Sequence, residues 1–427
     1  MFRIHHGRAH PAPLRALVGV GLLVVVAGTA LAATMRSAVA SPALGCGDVI
    51  TTSTTLQANL GPCNGDGLIL AASGITLNLN GFTISGRHNG PQTTAGIFVN
   101  GQSHDIVVNG AVTGFDAGVA ILGGGHNTVA HIDAHDNVNT QLKTGNANNS
   151  CNLGDGITTD NSAYNTIANN TVVHNGPYSG ISLVDASTHN TVSNNTVENS
   201  NVINLQPNGK PGVCGAPFQS PAQDIGIRVE GPGASDNTVR GNTVVSSGVG
   251  GIAIHGWAYC PPGPTGCLPS MPQNTANVIE NNYVAETGLA TDTAGLSPDG
   301  ISVLRVGPGG VIGVSQGNTI QNNQVYGNEG NGIFVGDPEC GDVTFGNGTT
   351  AHECQPGPFT GTTVAGNTIQ HSLFDGIDVP SGSVNNTISG NSATQDGGYD
   401  GFDGNVTCDS NSWTGDVFTT VNQTCVH

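Results

Sequence analysis

Asn165-Thr-Ile-Ala-Asn-Asn170-Thr-Val172 is one copy of a pattern, N-T-[IV]-x-x-N-x-[VI], that recurs down most of the chain. It returns at Asn190 to Val197, Asn237 to Val244, Asn318 to Val325 and Asn386 to Ala393, with looser copies at Asn127, Asn277 and Thr362. A second anchor, built on Gly-Ile, interleaves with it at Gly96, Gly156, Gly180, Gly226, Gly251, Gly300, Gly332 and Gly376, with Gly-Val at Gly118 and Gly-Phe at Gly401. Uninterrupted intervals between anchors are 22 residues (96 to 118), 24 (156 to 180) and 25 (226 to 251 and 376 to 401). Two alternating anchors at a fixed period specify a solenoid, and this period suits one coil of short strands. In Gly180-Ile-Ser-Leu183 the residues Ile181 and Leu183 point one way and Ser182 the other, as in a strand with one apolar face. One coil cannot bury that face alone, so coils must stack in parallel.

Asn170, Asn195, Asn242, Asn282, Asn323, Asn367 and Asn391 hold the same place in successive units. An internal ladder, each amide bonding the one above and below, accounts for them. Their N-x-T sequons follow from the repeat.

The pattern resembles the right-handed parallel β-helix superfamily, the pectin-lyase-like fold, over roughly residues 65 to 405. That resemblance implies an all-β solenoid, and the superfamily includes polysaccharide lyases, glycoside hydrolases, uronate epimerases, phage tailspikes and non-catalytic carbohydrate-interacting domains. Solenoid ends need covers for their open strands. Residues 41–64 are read as an N-terminal cap, 65–405 as the β-helix, and 406–427, with Trp413, as a C-terminal cap.

Arg3, Arg8 and Arg15 precede an apolar run from Ala16 to Ala33, and small-residue cleavage sites follow at Ala30-Leu-Ala32 and Ala38-Val-Ala40. Residues 1–40 therefore read as a signal peptide, with a secreted or cell-surface product and no membrane span after cleavage. The formal charge is −19, and the four arginines ahead of residue 40 leave −23 on the remainder. A nucleic-acid partner is disfavoured, since phosphate binding needs clustered Lys and Arg. Ten cysteines in an exported chain read as disulfides. Near neighbours pair as Cys46 with Cys63, Cys260 with Cys267, Cys340 with Cys354 and Cys408 with Cys425, which leaves Cys151 with Cys214.

Longer intervals between anchors mark insertions at 137–153, 200–222 and 285–297 ahead of the Gly-Ile strand, and at 257–275, 305–316 and 336–360 behind it. Loops on both edges of one strand stack are expected to wall a groove, the usual place for function on a rigid scaffold. Counting two residues on from each anchor gives an outward row through Thr158, Ser182, Arg228, Ala253, Ser302, Phe334, Asp378 and Asp403. Four residues on, Glu230 shares a coil with Arg228, and His255 follows one coil later. An Arg, a carboxylate and an imidazole on one wall suit acid/base work on a sugar, although a surface ion pair explains them too.

Asp155, Asp299, Asp375 and Asp400 each precede an anchor Gly, with Asp378 and Asp403 close by. Asp-Gly is also an ordinary turn signal. As a functional cluster, Asp375 and Asp378 are candidate acid and base, and Asp378, Asp400 and Asp403 are candidate ligands for Ca²⁺. Phe374-Asp-Gly-Ile-Asp378 resembles the aspartate-rich stretch of polygalacturonases, whose Gly-His-Gly and Arg-Ile-Lys are missing here, and Tyr399 to Asn405 faintly resembles a mannuronan epimerase stretch without its Pro-His. A calcium-assisted lyase would use Arg228 or Arg305 as base. The chain is thus expected to act on or bind polysaccharide, as a lyase or hydrolase of acidic polysaccharide using Arg228, Glu230, His255, Asp375 and Asp378. The other reading is a non-catalytic carbohydrate-binding or cell-envelope protein, which the sparse aromatics suit.

Overall fold

The computed structural model describes residues 44–87, 94–138, 154–176, 178–200, 225–231, 233–256, 274–289, 298–305, 315–336, 341–344, 350–353 and 359–427. The segment read as a signal, most insertion residues and the remaining six cysteines lie outside them. No described helix is long and apolar enough to cross a membrane.

Among the described residues most coils contribute a strand to each of three long parallel stacks, and a short fourth stack runs from Asn274–Thr275 to Ser383–Val384. The first sheet has twelve strands among the described residues, from Asp48–Ile50 to Gly401–Asp403. The second runs from Thr54–Thr55 to Ser412–Thr414 and the third from Leu60–Cys63 to Ser392–Thr394. Strands Ile106–Thr113 and Thr128–His135 run through both the second and third stacks. Gly341–Thr344 and Thr350–Glu353, within the longest insertion, form an antiparallel hairpin.

Register aligns side chains into columns. Ile157, Ile181, Ile227, Ile252 and Ile301 pair in succession along the first sheet, and all are fully buried. Val192, Val239, Ile279 and Ile320 do the same on the second sheet, and Val197, Val244, Val284 and Val325 on the third. Each such side chain contributes about 1.5–3 kcal/mol by leaving water, so the continuous core drives the stacking.

The anchor glycines exist because neighbouring coils touch there. A Cβ on Gly180 would lie 2.7 Å from the Gly226 carbonyl oxygen and 2.5 Å from Val197 Cγ1, and one on Gly226 would lie 2.8 Å from the Gly251 carbonyl oxygen. No side chain fits that approach.

The asparagine ladder forms as the repeat implies. Asn170 Nδ2 donates to Asn195 Oδ1 at 2.9 Å, and Asn195 Nδ2 to Asn242 Oδ1 at 3.0 Å; the series continues through Asn282, Asn323 and Asn367 to Asn391. The second amide proton of Asn195 goes to the Ile167 carbonyl, and its Oδ1 also accepts the Asn170 backbone N–H, so its buried donors and acceptor are paired. A parallel ladder links Asn165, Asn190, Asn237, Asn277 and Asn318. Just before each ladder position the chain turns with positive φ, as at Asn169, Asn194, Asn281 and Asn322, a conformation that Asn tolerates. At the corner before the second ladder, His104, His126, Tyr164 and His189 stack with ring centroids 4.6–4.8 Å apart.

Both ends are closed by disulfides. Cys46–Cys63 spans residues whose strands already pair with the next coil, so the expected cap is itself a coil. At the other end Cys408–Cys425 braces the final turns, and Trp413 continues the inward column after Ile388. Its indole N–H donates to Asp403 Oδ2 at 2.9 Å.

Candidate active site

The strand Ile225–Glu230 places Arg228 and Glu230 on the outer face of the first sheet, and register sets Glu230 beside His255. Arg228 Nη1 donates to Glu230 Oε2 in a close ion pair, and Arg228 Nε donates to Ser179 Oγ at 3.0 Å. The guanidinium also lies 4.2 Å over the Tyr178 ring. His255 Nδ1 stands 3.4 Å from Glu230 Oε2 and 3.3 Å from Arg228 Nη1; it can donate to one or accept from the other. Arg228 and His255 are buried, while the Glu230 side chain keeps 12% of its surface exposed.

Electrostatics separates these groups. Burial would raise the Glu230 carboxyl, but Arg228 and the His255 hydrogen bond overcome it and lower the pKa to about 2. Burial, with Arg228 adding to it, lowers His255 to about 4, so the imidazole is neutral near pH 7. Arg228 is raised further above its ordinary value: burial works against the charge, and the Glu230 carboxylate outweighs it.

Asp155 is one of the sequence's Asp-Gly aspartates, with the turn reading favoured there over a functional one. Other aspartates ahead of an anchor take backbone N–H groups from the adjoining coil. Asp66 accepts from Ala95, Asp299 from Asn331, Asp375 from Tyr399, and Asp400 from Thr419 and Thr420. Asp155 is as deeply buried as Asp299 and Asp400, and its Oδ1, like Asp378 Oδ1, has no hydrogen-bond partner. Burial raises its pKa to about 8, against smaller lowering effects of Ser182 and Arg228.

Asp155, Tyr178 and Glu230 line one cavity of about 540 Å³ over the first sheet. Its floor is apolar, with Ala95, Phe98, Ala117, Ala120 and Leu122, and Asp66, Asp160 and Asp185 stand at its margins. This cavity lies over the strands from Ala95–Asn100 to Ile225–Glu230. The outward row from Ser182 through Arg228, Ala253 and Ser302 to Phe334 is not an open floor, because each of these residues is at most 4% exposed.

The expected residues separate into two groups. Asp378 pairs with Phe334, four strands along the sheet from Glu230, or roughly 19 Å at about 4.8 Å per strand. Asp375 and Asp378 cannot act on the same bond as Glu230. Burial, then Asp375, Asp299 and Asp403, raise Asp378 to about 8. The outward row also needs correcting at its end: Asp378 aligns with Phe402, while Asp403 aligns with Val379 and is buried. Asp403 Oδ2 accepts from Trp413 and Asn411, and its Oδ1 from Asn405, while Asp400 Oδ2 takes two backbone N–H groups. These two carboxylates bind the C-terminal residues that follow them. Among the described residues no three His, Cys, Asp or Glu side chains are grouped to hold a metal ion. The Arg305 strand pairs with that of His255, but its side chain lies outside the described residues.

Residues 63–261 match the family model described as "Right handed beta helix region". Among solved structures, the Dettilon tailspike protein is 15% identical, with a TM-score of 0.48 over 88% of this chain and 60% of that one. The chain thus spans less than two thirds of the tailspike. A pectate lyase aligns at 12% identity and TM-score 0.46, covering 89% and 80% of the two chains. An alginate lyase from Paenibacillus sp. aligns at 14% identity and TM-score 0.36, covering 90% and 94%. No curated protein matches by sequence. With its parallel three-stack register and the matched region, the chain is a right-handed parallel β-helix.

Proposed function

We propose that the chain hydrolyses a polysaccharide laid in the groove over the first sheet, with Asp155 as general acid and Glu230 as its ionised partner. The observation that carries this is the buried, unpartnered Asp155 Oδ1 in the same cavity as Glu230, their pKa values pushed to about 8 and about 2. Two carboxyl groups driven apart in this way suit a glycosidic bond: the neutral one protonates the leaving oxygen and the anionic one supports the developing positive charge. Held that low, Glu230 is a poor base, so it serves as nucleophile or charge stabiliser. Arg228 and His255 touch Glu230 and fix it. A lyase with Arg228 as base is disfavoured, because that guanidinium is buried, paired and held as a cation. The resemblance read from the repeat points to the same substrate class.

The test is incubation of the folded protein with neutral glucans, amino-sugar polymers, pectin and alginate, following new reducing ends and the absorbance of unsaturated uronates. New reducing ends without that absorbance are expected, and Asp155→Asn should abolish them. Binding without turnover on any polymer would return the chain to the non-catalytic carbohydrate-binding reading.

A further inference from the structure

Carboxylates surround the apolar floor of the groove. Asp160 ends the strand Asp155–Asp160, and Asp185 follows the strand Ser179–Val184 in a positive-φ turn. That turn packs closely on the next coil, where a Cβ on Gly231 would come within 2.7 Å of the Asp185 backbone nitrogen. The two carboxylates are drawn together at one margin, with Asn161 Nδ2 2.6 Å from Asp160 Oδ1 and 3.5 Å from Asp185 Oδ2. Burial, then Asp160 and Glu230, raise the Asp185 pKa, the mark of crowded negative charge. Asp66 stands in the same lining. Among the described arginine side chains, Arg87 and Arg240 belong to the other sheets, and Arg228 is buried against Glu230. Asp155 adds the independent sign of a missing ligand: a buried carboxyl with one oxygen unbonded in the cavity.

We propose that the glycan this groove takes is cationic, a polymer of 2-amino-2-deoxy sugars whose ammonium groups sit against Asp160 and Asp185 while their ring faces cover Phe98 and the alanine floor. This deepens the reading above and rests on it for the site. A uronate chain would bring carboxylates against carboxylates, and an N-acetylated chain would offer no charge to match them.

The test is calorimetric titration of the full protein with glucosamine tetramer, its tetra-N-acetyl form and tetragalacturonate, alongside turnover of the corresponding polymers. The amino tetramer should bind at least about tenfold more tightly than the acetylated one, as one well-placed charge pair allows, and the preference should shrink with salt. Asp160→Asn with Asp185→Asn should erase the preference. Asp133→Asn with Asp409→Asn, which removes equal charge at exposed positions elsewhere, should leave it intact and so exclude general attraction to an acidic protein. Equal affinity for the amino and acetylated tetramers, tighter binding of the uronate, or equal loss in both double variants would overturn the proposal. Turnover of a neutral polymer without amine preference would sink this inference and spare the hydrolase. Amine-selective binding with no turnover would do the reverse.

Discussion

Replacing Asp155 by Asn separates what this carboxyl does for folding from what it does for chemistry. In the folded chain its pKa is about 8, against an ordinary 3.8, so between those values the folded state keeps a proton that the unfolded state releases. Stability is undiminished below about pH 4, falls as pH rises, and reaches its full loss above about pH 8. At about 1.4 kcal/mol per pH unit over roughly 4 pH units, the penalty is on the order of 5 kcal/mol. The amide of the Asp155→Asn variant cannot ionise and escapes it. Urea unfolding of the two proteins should therefore give free energies within about 1 kcal/mol of each other at pH 4, with the variant pulling ahead by several kcal/mol at pH 8. The same variant should lose about 10²–10⁴ in turnover as the general acid disappears. A stability gap that does not widen with pH would mean Asp155 is ionised in the fold, and the acid assignment would fall.

Glu230→Ala leaves Arg228 buried without its carboxylate and should cost about 3–5 kcal/mol, read as a lowered unfolding midpoint. Asn195→Ala removes the acceptor for the Asn170 N–H and amide and the donor to the Ile167 carbonyl; about 3–6 kcal/mol should be lost in urea unfolding, and near-neutral behaviour would deny the ladder its structural weight. Gly226→Ala forces a methyl toward the Gly251 carbonyl oxygen and Val244, so thermal unfolding should show a loss of about 2–3 kcal/mol.

The solenoid was legible because its cause is periodic: a strand alternates every second residue, and the Gly and Asn anchors mark where coils touch. The same counting brought Glu230 beside His255, since both lie in regular coils. It failed at Asp403. Gly401-Phe402-Asp403 lacks the aliphatic residue that holds other anchors in register, and its alignment goes instead with the bonds of Asp403 to Trp413, Asn411 and Asn405. Those contacts join residues the repeat does not relate. Asp155 was visible among the Asp-Gly aspartates, but the sequence could not single it out from them. Its Asp-Gly letters match those of Asp299 and Asp375, and only three-dimensional packing decides whether an N–H of the next coil reaches the carboxylate. Nor did composition hint that the outward row from Ser182 to Phe334 is buried.

The measurement closest to the central claim is the pH dependence of kcat/KM for glycan hydrolysis, from pH 3 to 10, on the best polymer of the panel. The account predicts activity that falls on the alkaline side with a midpoint near 8, as Asp155 gives up its proton, and no rise tied to a carboxylate titrating near 4 to 5, because Glu230 is already ionised there. An alkaline limb that persists unchanged in any residual activity of Asp155→Asn, or a folded protein that releases no reducing ends at any pH, would contradict it.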